Sequence, residues 1–220
     1  MVDNIVVELA INLVGLAISA MIGRFAYSGY ATIGSPNLLR LTLAFISIAA
    51  GFVLILLHLF VPPGDYAQAV ETAGLAAQAV GYFFIAMSHG LKSSFDFAPR
   101  GRSTTSALAM IPLAATPFLI PGNSIEHLVR SISFILLVYV SIETLASYMQ
   151  NTRTNTLMIG SGLGTLAVAE LLAWYDFIFP GNFNYPAMIT KVAGFGLMFI
   201  PFSKFGLTSG LGRLQKEDAE

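Results

Sequence analysis

Seven stretches of about 17 to 24 mostly apolar residues, separated by short links rich in proline, glycine and polar residues, decide what this chain can be. Roughly 20 such residues span the hydrocarbon core of a bilayer as a helix. Lipid offers no partner to an unpaired backbone N–H or C=O, so each stretch has to close its own hydrogen bonds and reads as a transmembrane helix. The segments fall at about 5–22, 38–60, 72–91, 104–120, 127–149, 156–179 and 185–205, and a short polar tail covers 206–220. The fold class expected is an all-α integral membrane protein, one seven-helix domain spanning 1–220.

Composition excludes the soluble alternatives. Of the 220 residues, 55% are hydrophobic and 10% charged, against about 25% charged in an ordinary soluble domain. The Lys and Arg residues are scattered rather than clustered, which argues against a nucleic-acid partner. With no cysteine there is no disulfide, thiolate ligand or thiol nucleophile. The start, Met1-Val2-Asp3-Asn4, lacks the positive n-region of a secretory signal, so the first apolar segment reads as a retained helix.

The links carry the expected punctuation. Ser28 to Pro36 reads as a loop, Pro62-Pro63-Gly64 and Pro121-Gly122-Asn123 stop helices, and Pro180 to Asn184 forms the last turn. Asp65 and Glu71 fall in the turn before the third segment. Pro112 and Pro117 predict a kinked or irregular fourth segment. Arg24, Arg40, Lys92, Arg100, Arg102, Arg153, Lys204, Arg213 and Lys216 fall on one side of this alternation, while Arg130 and Lys191 lie toward the other. The positive-inside rule then puts the N-terminus outside and the C-terminus in the cytoplasm of a cell membrane.

Sliding the chain on itself by 118 residues aligns the first two segments with the fifth and sixth without a gap. It superposes Glu8 on Glu126, Tyr30 on Tyr148, Asn37 on Asn155 and Pro62 on Pro180. The plan this implies is three helices, a linker helix and three helices again, a parallel repeat. At the level of plan it resembles sugar carriers of the SWEET type and the microbial rhodopsins. The run Lys191-Val192-Ala193-Gly194-Phe195-Gly196-Leu197 also looks like the lysine segment of a retinal protein with one residue inserted. Aligning on Gly-Phe-Gly places Val192 at the Schiff-base position, about 100° around the helix from Lys191, so no retinal and no other cofactor is expected. The first and fifth segments lack the prolines on which SWEET-type carriers bend.

Chemistry concentrates in the last hairpin. Glu170, Asp176 and Lys191 lie in an apolar background, and ionisable groups there pair with one another or face water. Lys191 can reach Glu170 on one side or Asp176 on the other. Trp174 shares the face of Glu170 at a spacing of four, and Gln78 and Tyr82 with His89 form a polar stripe on the third segment. Glu143, with Tyr139 and Ser147 on its face, lies near the inner end of the fifth segment. Gly160, Gly164, Ala167, Ala77 and Gly81 read as close-packing positions. No catalytic or metal-ligating constellation emerges, so an enzyme is not expected. The candidate pathway or binding residues are therefore Glu170, Lys191, Glu143, Asp176, Gln78, Tyr82 and Trp174. The expected function is a carrier or channel for an ion or small solute. The alternatives are a receptor-like sensor acting through a separate partner, and a non-catalytic subunit of a membrane complex. Expected partners are the lipid bilayer, the ion or solute, and a second copy or a membrane-complex subunit.

Overall fold

The computed structural model describes residues 2–93, 125–150 and 152–217, and these are all-helical apart from short turns. Six helices follow in order: α1 (Val2–Ile33), α2 (Pro36–His58), α3 (Asp65–Ser93), α4 (Ile125–Gln150), α5 (Thr154–Tyr175) and α6 (Asn184–Glu217). Each is long and apolar enough to cross a membrane. The segment expected at about 104–120, with Pro112 and Pro117, lies outside the described residues.

Several boundaries differ from the expected ones. The stretch from Ser28, read as a loop, is the last part of α1, which runs on to Ile33 rather than ending near Ile22. No proline interrupts it, and Thr32 Oγ1 donates to Ser28 O at 2.9 Å, so its hydroxyl is satisfied within the helix. The break comes at Gly34, whose φ of 70° is open to glycine at little steric cost. Pro36 then opens α2, where its missing N–H is harmless. Glu71, read as a turn residue, stands on α3, which begins at Asp65 rather than near Thr72. α5 ends at Tyr175 rather than Phe179, and α6 continues past 205 to Glu217.

Each helix packs on its chain neighbour, α3 packs on α4, and α6 returns to α1, so the six described helices close a ring. Short turns make α1/α2, α2/α3, α4/α5 and α5/α6 antiparallel. The starts of α1, α3, α4 and α6 lie at one end of the bundle, where all four line a common cleft with the last turns of α2 and α5. From the wall of this cleft toward the other end, aromatic side chains cross the ring from α2 to α6, Phe52 against Phe195 with centroids 5.7 Å apart and Phe45 against Phe202 at 6.0 Å.

The pattern of burial is that of a protein dissolved in lipid. Large apolar side chains such as Ile46, Leu57, Phe83, Ile132, Val168 and Ile189 face outward, while Asn12, Gln78, Ser131, Ser141, Thr144 and Glu170 are buried. Interior hydroxyls bond to backbone carbonyls, as Ser47 does to Ala77 O at 2.8 Å and Ser141 to Gly160 O at 3.0 Å, tying α2 to α3 and α4 to α5. Apolar burial gives helices little reason to associate in lipid, so close backbone approach and such polar contacts carry the packing. Two glycines make equivalent approaches. A Cβ on Gly81 would lie 2.7 Å from Ala44 O and 2.5 Å from Ile48, and one on Gly194 would lie 2.9 Å from both Gly162 O and Leu166. The chain is thus a multi-pass membrane protein, and the small residues noted in its sequence are packing positions.

Gly194→Leu should therefore lower stability by about 1–3 kcal/mol through overpacking, whereas Gly196→Ala, with nothing within 4 Å of its Cβ, should cost nothing. Thermal unfolding of both variants in detergent micelles checks the contrast.

Candidate functional site

Glu170 stands one turn before the end of α5 and is 2% exposed. A carboxylate so placed has to be neutralised, and two cations do so. Lys191 Nζ, from the second turn of α6, lies 2.6 Å from Glu170 Oε1, and Arg130 Nη1 from α4 lies 3.6 Å from Oε2. Arg130 is itself anchored one turn back, its Nε and Nη2 donating to Glu126 Oε1 at 3.1 and 3.0 Å. The lysine ammonium also donates to Gln78 Oε1 of α3 at 3.1 Å.

That last bond fixes the side-chain amide. An ammonium only donates, so Gln78 must turn its oxygen to Lys191 and its Nε2 elsewhere. Gln78 is 1% exposed, and its Nε2 has no partner. The buried hydroxyl of Tyr82, on the next turn of α3, lies beside Glu170 without a well-formed hydrogen bond. α3, α4, α5 and α6 thus converge on one carboxylate.

Above this cluster lies the cleft, about 580 Å³ counting its open mouth. Lys191, Arg130 and Gln78 line its deep part, with Phe52, Ile55, Leu75 and Met188 among its apolar walls. Glu170 is not on the surface of the cleft; the two cations that line it stand between. Nearer the mouth are Glu8 of α1 and Glu71 of α3, both lining residues and within electrostatic reach of each other. Glu71 has His58 Nε2 at 3.7 Å, while the other ring nitrogen of His58 meets Ala67 O at 2.9 Å across the α2/α3 turn.

The other residues singled out from sequence fall elsewhere. Lys191 chooses Glu170 rather than Asp176, because Asp176 Oδ1 already accepts from the backbone N–H groups of Phe183 and Asn184 at 2.8 and 3.1 Å. It caps the start of α6. Trp174 packs edge-on against Tyr175 at 5.5 Å, with its indole N–H buried and unpartnered, and it does not line the cleft. Glu143 lies far down α4, about 20 Å from Arg130 by helical rise. It is half-buried, within electrostatic reach of Tyr139, and not brought to the cluster. Among the ion pairs of the described residues, Glu143 pairs with neither Arg24 nor Arg153. The side chain of His89 is outside the described residues.

Sequence reasoning missed Arg130 as a site residue, having assigned it only to a side of the membrane, and missed the acidic mouth. The signal was present. The slide that superposes Glu8 on Glu126 also carries Asn12 onto Arg130, and Glu126 and Arg130 are spaced for a helical ion pair. The chain matches no protein-family model, no curated protein and no solved structure.

Removing one partner of the buried pair should cost more than removing both. Lys191→Met alone should destabilise the protein by about 3–5 kcal/mol, whereas Glu170→Gln with Lys191→Met should recover most of that. Chemical or thermal denaturation of the two single variants and the double variant gives the cycle.

Proposed function

We propose that the chain is a carrier or channel for an ion or small solute, with the buried cluster at Glu170 as the deep end of its path. One observation carries the reading. A charged, partly unsatisfied cluster forms the floor of a cleft open at one end of the bundle, and an aromatic layer of Phe45, Phe52, Phe195 and Phe202 fills the ring beyond it. Ionisable groups in a membrane interior are costly and ordinarily mark substrate or ion pathways. A site closed on one side and open on the other is what one state of an alternating-access device requires.

The repeat belongs to the same proposal. α1 and α2 correspond to α4 and α5 under the slide of 118 residues, with the first residue of α2, Pro36, falling on that of α5, Thr154. The two glycine approaches carry the correspondence into the third helix of each unit. Ala44 falls on Gly162 and Ile48 on Leu166, so Gly81 answers to Gly194. Gln78 then answers to Lys191, Tyr82 to Phe195 and Phe52 to Glu170. On this reading the Lys191 to Gln78 hydrogen bond joins equivalent positions across the pseudo-two-fold axis, and the Phe52–Phe195 ring contact is the counterpart of Glu170 beside Tyr82. His58 and Asp176, also equivalent, each tie their own hairpin turn.

A seventh crossing within 94–124 completes the plan, since α3 ends at the opposite end of the bundle from the start of α4. With the basic residues Arg24, Arg40, Arg153 and Lys204 at the end away from the cleft, the positive-inside rule gives an outward-facing cleft and a cytoplasmic C-terminus. Glu143 lies toward the inner end and is the candidate for the far side of the path.

The absence of cysteine makes the test clean. Met188→Cys, on a partly exposed wall of the cleft, should react with a membrane-impermeant maleimide from one side of the bilayer, and Phe195→Cys in the aromatic layer should not. In proteoliposomes screened with small ions and solutes, the flux that the protein supports should fall at least about 10-fold in Glu170→Gln; undiminished flux would remove Glu170 from the path.

A further inference from the structure

The charges that line the cleft are arranged by sign. Glu8 on α1 and Glu71 on α3 hold one wall, Arg130 on α4 and Lys191 on α6 the other. Glu71 is within electrostatic reach of both Glu126 and Arg130, yet its ion-pair contact is with His58 and not with Arg130, which turns to Glu126 and Glu170. An acid and a guanidinium thus face each other across open space. Burial of both at the mouth of an apolar bundle would ordinarily draw them together.

Each side also has capacity left over. The carboxylates of Glu8 and Glu71 are within electrostatic reach of each other, and the His58 ring lies 3.7 Å from Glu71. An ammonium placed between them would relieve that repulsion and donate to both. On the facing wall a guanidinium offers five N–H donors. Arg130 uses Nε and Nη2 on Glu126, and its Nη1 is only loosely engaged by Glu170. Beside it the unpartnered Nε2 of Gln78 is the donor whose burial is least well explained by the protein alone. Gln78 lines the cleft, and a small turn of its terminal amide, whose Nε2 is now shielded from solvent, would bring that donor to an anion held by Arg130.

We infer that the cleft binds a small zwitterion, its ammonium held by Glu8 and Glu71 and its carboxylate by Arg130 and the Gln78 amide. The ligand class is that of simple amino acids, in which one or two carbons separate the two charges. Ile11, Ile55, Leu75 and Val192 on the walls would receive a short apolar side chain. The inference rests on reading the cleft as a solute site, and it goes beyond that reading in naming the solute's chemistry.

The test is ligand-dependent stability of the purified full-length protein in detergent, with glycine, L-alanine and β-alanine as probes and ethylamine, propionate and sodium chloride as controls. Binding of a zwitterion to the folded state should raise the unfolding midpoint by roughly 3 °C or more at saturating ligand, with no shift from either half-molecule or from the salt. Glu71→Gln and Gln78→Leu, each removing one charge-assisted contact, should weaken the response about 10-fold or more in ligand concentration. Their midpoints without ligand report separately on folding. An equal shift with ethylamine or sodium would make the cleft a cation site, and an equal shift with propionate an anion site. Either result overturns the inference, as does a flat response across all three zwitterions. Alanine binding without counterflow of labelled alanine in proteoliposomes would sink the carrier reading and leave the zwitterion site standing. Glu170-dependent flux of another ion without alanine binding would do the reverse.

Discussion

The structure depends on neutralising one carboxylate. An isolated ion of this kind moved from water into a low-dielectric interior faces an idealised cost of order 20 kcal/mol, so Glu170 is held by cations drawn close to it. They come from different helices. Lys191 arrives on α6, Arg130 on α4, and Lys191 is steered in turn by Gln78 on α3. One buried charge therefore sets the depth and rotation of four helices. Apolar burial could not do this in a bilayer, because lipid chains solvate a leucine as well as another helix does.

The cluster also explains why the cleft sits where it does. Arg130 and Lys191 each bring one charge to match Glu126 and Glu170, so the floor is close to neutral and is held by bonds rather than by packing. Directly beyond it the ring is filled by phenylalanines, which need no partners. The change from bonded polar groups to apolar rings happens within about two turns of α2 and α6. A polar solute entering the open end would meet groups able to replace its water, and then a layer that is not.

Much of this was legible in the sequence, and the rest was hidden for identifiable reasons. Helix positions follow from hydropathy because the bilayer penalises every alternative, and Glu170 with Lys191 stood out as charges in apolar runs. Boundaries were less legible, since a helix need not stop where hydrocarbon stops. α1 runs on to Ile33 through Ser28 and Tyr30 because nothing before Gly34 breaks it. Glu71 looked like a turn residue for the same reason, its charge in the second turn of α3 being mistaken for the end of structure. Arg130 was hidden because it lies near a helix start, where a long cation ordinarily snorkels to the headgroups. Only the ring closure of α3 on α4 shows that its face of α4 points inward.

On the repeat proposed above, the asymmetry of the site has a simple reading. A scaffold with a pseudo-two-fold axis along the membrane normal places equivalent side chains at equal depth, so an unmodified repeat would put matching groups on both walls. Here the positions at one depth differ in kind: Gln78 against Lys191, Phe52 against Glu170, Asn12 against Arg130. Every one of these differences puts the ionisable group on the second unit and the uncharged one on the first. Glu8 matches Glu126 at the mouth, but Glu126 is engaged by Arg130, one turn on, while Asn12, the uncharged counterpart of Arg130, donates only to the Glu8 backbone carbonyl and leaves the Glu8 carboxylate to the cleft. With Glu71 of the first unit answering to Asn184 of the second, the proposed repeat would carry a polarised lining, cationic at Arg130 and Lys191 on the α4 and α6 wall and anionic at Glu8 and Glu71 on the α1 and α3 wall. The backbone plan of neither unit has to change.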